Sequence, residues 1–184
     1  MKETNRTMTL RGTIPAVFNA QFESYNIFEY ANVLDLNKAW KVDGYACWLQ
    51  GYRTSFIASN DLSKASIESF LATDTNIKDT GIIFINNSPQ DNRQIAWGNT
   101  LIDLGSADKV NNTKVQSVLN ESYWIDPNHI VQDELNLNLR VGGSDVEEGE
   151  IQRVNYIVYL REVSVTDEES IIMNIKGKSQ DLSS

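Results

Sequence analysis

Reactive side chains are scarce in this chain: it has one histidine, His129, and one cysteine, Cys47. A histidine in Asp126-Pro127-Asn128-His129 could serve as a general base, with Asp126 or Asp133 orienting its ring. It would need a nucleophile. Cys47 stands in an apolar run, Tyr45-Ala46-Cys47-Trp48-Leu49, and low polarity raises a thiol's pKa and blunts it. His129 therefore reads as an ordinary loop residue and Cys47 as a core filler. Metal centres built on clustered His and Cys need more of both than the chain contains. The stretch Ser144 to Glu150 offers Asp145, Glu147, Glu148 and Glu150 as oxygen donors for calcium. It lacks EF-hand spacing and reads as a solvated hairpin tip. Gly142-Gly143 and Gly149 make neither a dinucleotide fingerprint nor a phosphate loop. The chain thus reads as a non-enzyme, with no catalytic, cofactor-binding or metal-binding residue. A pair of carboxylates could still hydrolyse a glycoside without either residue, and that is the weakest reading.

Two other residue sets could bind. Trp40, Trp48, Trp97 and Trp124 could stack on sugars. Three of them share a strand parity with aliphatic residues, which favours the core. Trp124, beside Tyr123 and next to a turn, is the best candidate for an exposed binding aromatic. Near the C-terminus, Ile171, Ile172 and Ile175 form a short apolar stripe. The stripe either covers the open end of the fold or docks on a neighbouring subunit, and the first is the simpler expectation.

Composition narrows the function classes. With 184 residues, 41% hydrophobic, the chain is long enough for one domain over residues 1–184 with a real core. A net charge of −9 argues against a surface built to hold a phosphate backbone. Near the start only Lys2 and Arg6 are basic, so no packaging arm for nucleic acid is expected. The opening Met-Lys-Glu-Thr-Asn-Arg-Thr has no apolar h-region, and no run approaches the length of a membrane-spanning helix. One cysteine allows no internal disulfide, which fits folding in a reducing compartment. The sequons at Asn5, Asn86, Asn111 and Asn120 read as by-products of an Asn-rich sequence.

The elements follow from hydrophobic period. Glu134 to Val141 alternates cleanly, with Leu135, Leu137, Leu139 and Val141 on one face and Asn136, Asn138 and Arg140 on the other. That predicts a half-buried strand. Arg153 to Val165 is apolar on both parities, which predicts a strand inside a sheet. Thr166 then opens a capping box with Glu169, predicting a C-terminal helix. Upstream, strands are predicted over Thr7 to Ile14, ended by Pro15, and over Ser24 to Leu36. Ala39 to Gly51 is apolar on both sides and reads as central. Arg53 to Ala58, Thr80 to Asn86, Arg93 to Leu104, Thr113 to Leu119 and Glu121 to Ile125 are further strand candidates, with a bulge at Gly98. Asn60 to Leu71 reads as a short helix. No strand–helix alternation appears, so a parallel sheet is not expected. The fold class is all-β: an antiparallel β-sandwich of jelly-roll type with one or two short peripheral helices.

In length, Asn-rich strands, long loops, and paired strands Glu134–Val141 and Arg153–Val165 before a terminal helix, the chain resembles the single jelly-roll capsid proteins of small icosahedral viruses. The resemblance is architectural. It implies a virion structural protein made in the host cytoplasm, a subunit of an icosahedral shell that assembles with copies of itself and other capsid subunits. It implies no sequence-specific nucleic-acid binding. The chain lacks the Arg/Lys-rich arm that many genome-wrapping capsid proteins carry, which leaves room for a vertex, spike or decoration protein. The alternative is a carbohydrate-binding β-sandwich module that uses Trp124 and Tyr123.

Overall fold

A computed structural model describes residues 1–17, 21–29, 37–50, 64–74, 87–103, 117–143 and 151–178. They form β1 (Lys2–Val17), β2 (Glu23–Glu29), β3 (Lys38–Leu49), β4 (Lys64–Ala72), β5 (Gln94–Asp103), β6 (Ser117–Ile125), β7 (Glu134–Gly142), β8 (Ile151–Ser164) and α1 (Asp167–Lys178). The strands make two antiparallel sheets. One has three strands in the order β1-β8-β3, and the other has five in the order β2-β7-β4-β5-β6. This is the all-β antiparallel sandwich that the periodicity predicts.

The core lies between the sheets. From β7 come Leu135, Leu137, Leu139 and Val141, and from β8 come Val154, Val158 and Leu160, all fully buried. Ala65, Ile67 and Leu71 of β4 and Ala96 and Ile102 of β5 join the same cluster. Each large aliphatic side chain removed from water contributes on the order of 1.5–3 kcal/mol. β8 lies between β1 and β3 as its pattern predicts, but its second apolar face is not fully covered, with Tyr159 48% exposed.

Several expectations change. First, residues 64–72 are strand β4, not helix. Its serines are mediocre helix formers, and ladders to β5 and β7 on its two sides outweigh local preference. Second, Pro15 does not end β1, which continues to Val17. β1 is an outer strand, where a proline's missing N–H removes no ladder bond. Third, β3 is not central among the described strands. Its register slips between Val42 and Gly44, so Trp40 and Val42 before the bulge and Tyr45 and Cys47 after it all face the core. Fourth, the polar face of β7 is solvated only at Arg140, since Asn136 and Asn138 are completely buried. Within the predicted stretch, Gln94–Asp103 forms one strand without a register shift at Gly98; the shifts fall between Leu101 and Ile102 against β6 and between Leu71 and Ala72 against β4. The strands proposed over Arg53 to Ala58 and Thr80 to Asn86, and the acidic loop Ser144 to Glu150, lie outside the described residues.

Two tyrosines clasp the sheets together. Tyr123 of β6 places its hydroxyl on the outer edge of β3. It accepts from the Cys47 N–H at 2.9 Å and donates to the Cys47 carbonyl at 3.0 Å. The Thr100 hydroxyl sits 3.0 Å away as its third partner. The ring meets Tyr45 edge-on, with centroids 4.9 Å apart. On the opposite side, Tyr25 of β2 reaches the Pro15 carbonyl of β1. So each outer strand of the larger sheet sends a tyrosine onto an outer strand of the smaller one. Gly98 is the space that Tyr123 needs: a Cβ there would lie 2.5 Å from the Tyr123 ring and 2.6 Å from the Tyr45 oxygen.

Tyr123→Phe keeps the ring but strands the Cys47 amide and carbonyl. It should lower unfolding stability by about 1–3 kcal/mol in urea titrations monitored by fluorescence. Gly98→Ala should cost a similar amount, about 1–3 kcal/mol, by overpacking. Gly98→Ala in a Tyr123→Ala background should cost clearly less, because the collision partner is gone.

Candidate functional site

His129 and Cys47 do not form a catalytic pair. His129 binds the outer edge of β3 with its ring, whereas Cys47 belongs to β3 and has its backbone groups met by Tyr123. His129 is buried, contrary to its reading as an ordinary loop residue. The turn Asp126–Asn128 is closed by the Asn128 N–H donating to the Asp126 side chain at 2.8 Å. This turn aims the imidazole at β3. Nε2 accepts from the Val42 N–H at 2.8 Å, and Nδ1 bonds the Asp126 carbonyl. An Nε2 that accepts carries no proton, so the ring is the neutral Nδ1–H tautomer. Burial pushes its pKa below the usual histidine value, and Lys41 pushes the same way. Two residues beyond, Val131 and Trp40 exchange backbone bonds at 2.8 and 2.7 Å. The thiol of Cys47 is pushed up to about 12 by burial, so it is an inert core group as its sequence setting implies.

The outer face of the five-stranded sheet carries an aromatic row. Phe22 and Phe70 lie 5.3 Å apart, and the Arg140 guanidinium stands 5.1 Å over the Phe22 ring. Trp97 packs beside them and pairs in register with Trp124 of β6. The Trp97 indole N–H donates to the Gln94 side chain at 3.0 Å, which fixes its ring. Trp124 is 60% exposed, as its place next to a turn suggests. Trp48 is also exposed, so only Trp40 meets the expectation of full core packing. Beside the row, Asn136 and Asn138 find no hydrogen-bond partner among the described residues for any of their four amide N and O atoms. Leaving a buried amide unmet costs roughly 1–3 kcal/mol.

The outer face of the three-stranded sheet is different. Its register places Arg11 beside Ile157, Ile157 beside Ala46, and Trp48 beside Asn155. Tyr159 stands next to Gly44, whose missing side chain leaves room against the ring. Arg11, Lys41 and Arg153 surround this patch. Arg161 at one end is tied to Glu3 at 2.6 Å and to Asp43 at 2.7 Å. The strands of this sheet hold seven lysines and arginines against three acidic residues; those of the five-stranded sheet hold two against six. A chain that is acidic as a whole therefore has one comparatively basic sheet.

α1 starts at the capping box foreseen from sequence. Thr166 Oγ1 accepts from the Glu169 N–H at 3.2 Å, and Glu169 Oε2 accepts from the Thr166 N–H at 3.0 Å. Glu169 also pairs with the N-terminal ammonium of Met1 at 2.6 Å. That ammonium holds its carboxyl below the usual range. The helix is anchored by Ser170, which is buried and meets the Gln132 amide at 2.6 Å. Ile171, Ile172 and Ile175 do not cover the end of the sandwich. They are 58%, 62% and 62% exposed. One bound polar residue fixes which side of the helix turns inward, and the isoleucines lie on the other side.

Among the described residues no helix is long and apolar enough to cross a membrane. Comparison with protein-family models and with curated proteins finds no match to this chain.

Acid should weaken the fold through His129. Its folded pKa lies below the unfolded value of about 6.5, so the unfolded chain binds the extra proton first. The histidine's contribution is complete above that pH and is lost as pH falls through the depressed folded pKa. His129→Ala should cost about 1–3 kcal/mol at pH 7.5 by orphaning the Val42 amide. It should also flatten the loss of stability between pH 7 and 5 in denaturant titrations.

Proposed function

We infer that this protein is a virion structural protein: a jelly-roll subunit of an icosahedral shell that assembles by self-association. The observation that carries the reading is the pairing pattern. β1 pairs with β8, β2 with β7 and β4 with β5. This is the nesting expected when one long antiparallel hairpin is rolled into two layers, the eight-stranded double Greek key of a jelly roll. The remaining pair of such a roll would be β3 with β6. Here β6 ladders to β5 and meets β3 through the Tyr123 hydroxyl.

Fold alone does not assign function. What supports self-association is the surface: one basic sheet on an acidic chain, an exposed aromatic-aliphatic patch on that sheet, and an exposed isoleucine stripe on α1. Contiguous exposed apolar groups mark interaction sites, and opposite charges on separate faces steer copies together. The partners in this reading are further copies and other shell subunits, in the virion.

A second reading, a carbohydrate-binding module, is favoured by one feature. Trp97 and Trp124, paired in register with Trp124 60% exposed, offer stacking surface on one face.

Purified protein should form oligomers or particles, seen by light scattering and negative-stain imaging, that grow with concentration and respond to salt. A strict monomer at high concentration in every salt tested contradicts the shell reading. For the second reading, a glycan array should show hits that Trp124→Ala abolishes; binding unaffected by that change would eliminate it.

A further inference from the structure

We propose that α1 of one copy docks on the outer face of the three-stranded sheet of a second copy. This rests on the self-association reading and names its contact. The occupant is chosen by shape and by charge. At about 100° per residue, Glu168, Ile171, Ile172 and Ile175 fall within a single arc of the helix. Ser170 points the opposite way, into the body of its own subunit. So, among the described side chains, the solvent side of α1 carries three isoleucines with a carboxylate among them, and exposed Asp167 lies at its margin.

The receiving face is its complement. Ile157, Tyr159, Ala46 and Trp48 form an apolar floor, with Tyr159 48% and Trp48 44% exposed. Gly44 keeps the floor low beside Tyr159. Arg11, Lys41 and Arg153 rim it with positive charge, while Arg161 is already held by Glu3 and Asp43. Three strands about 4.8 Å apart are about 10 Å across between the outer two, close to the width of one helix. The acidic first turn of α1 brings Asp167 and Glu168 to that basic rim, while Glu169 is already held by the Met1 ammonium. The five-stranded sheet, with its acidic excess, offers the helix no such match. A 12-residue helix is a small contact beside the roughly 800 Å² per partner of a standard interface, so the association is reversible and rises with concentration.

Each copy presents both halves of this contact, so two complementary variants separate them. Ile171→Gln/Ile172→Gln/Ile175→Gln removes the helix stripe, and Arg11→Glu/Arg153→Glu reverses the rim. All five positions are exposed, and circular dichroism verifies the fold of each variant. Sedimentation velocity over a hundredfold range of concentration should show wild type associating. Each variant alone should remain monomeric. An equimolar mixture should give a heterodimer, because one intact helix meets one intact sheet, and nothing larger. Raising salt from about 0.05 to 0.5 M should weaken wild-type association by screening the rim. If wild type associates and both variants associate equally well, this contact is wrong and the self-association reading survives. If wild type is strictly monomeric, the reading itself falls and the contact with it.

Discussion

A sheet of three strands has only one interior strand, and the other two each present an open row of backbone groups. Among the described residues the smaller sheet of this sandwich is in that position, and its structure depends on how those edges are met. On β3 the groups are met by side chains and by one short bridge: Val131 at Trp40, His129 at Val42 and Tyr123 at Cys47. On β1 the far edge has Pro15, which has no N–H to offer, and Tyr25 on its carbonyl. An unmet edge invites another chain to add a strand. Closing β3 from within leaves the faces of the sandwich, rather than that edge, as the surfaces available to partners. It also joins the sheets, since the groups that close β3 belong to β6 and to the segment between β6 and β7.

Most of the layer structure was legible because burial imposes a period. β7 and β8 declare themselves by parity, and the capping box at Thr166 and Glu169 fixes the start of α1. Residues 60–71 misled because Leu62, Ala65, Ile67, Phe70 and Leu71 behind Asn60 imitate a helix stripe, while the ladders on both sides of β4 are long-range and leave no local trace. β3 misled for a different reason. A one-residue bulge switches the inward parity, so a strand with a single buried face looks apolar on both. The burial of Asn136 and Asn138 has no sequence signature either, because alternation identifies two faces without saying whether the polar one is covered.

The candidate site was less legible than the fold. Cys47 was readable as inert from its neighbours alone. His129 was not, since nothing in Asp-Pro-Asn-His tells that the ring turns inward to a strand 87 residues away in the chain. The tyrosine clasp was also invisible, because Tyr123 and Gly98 take their meaning from each other and from Tyr45. Surface charge behaves in the same way. A net −9 hides a basic sheet until the strands are sorted into their layers. The isoleucine stripe of α1 was visible in sequence, but its direction depended on Ser170, a residue that a hydrophobic pattern ignores.

Amide hydrogen exchange at Val42 and Cys47, read residue by residue by NMR, addresses the closed edge most directly. The predicted result is protection comparable to that of the Val158 amide in the interior strand β8. Exchange at both positions as fast as in an unprotected amide would contradict it, and would return β3 to the status of an open edge to which another chain can add.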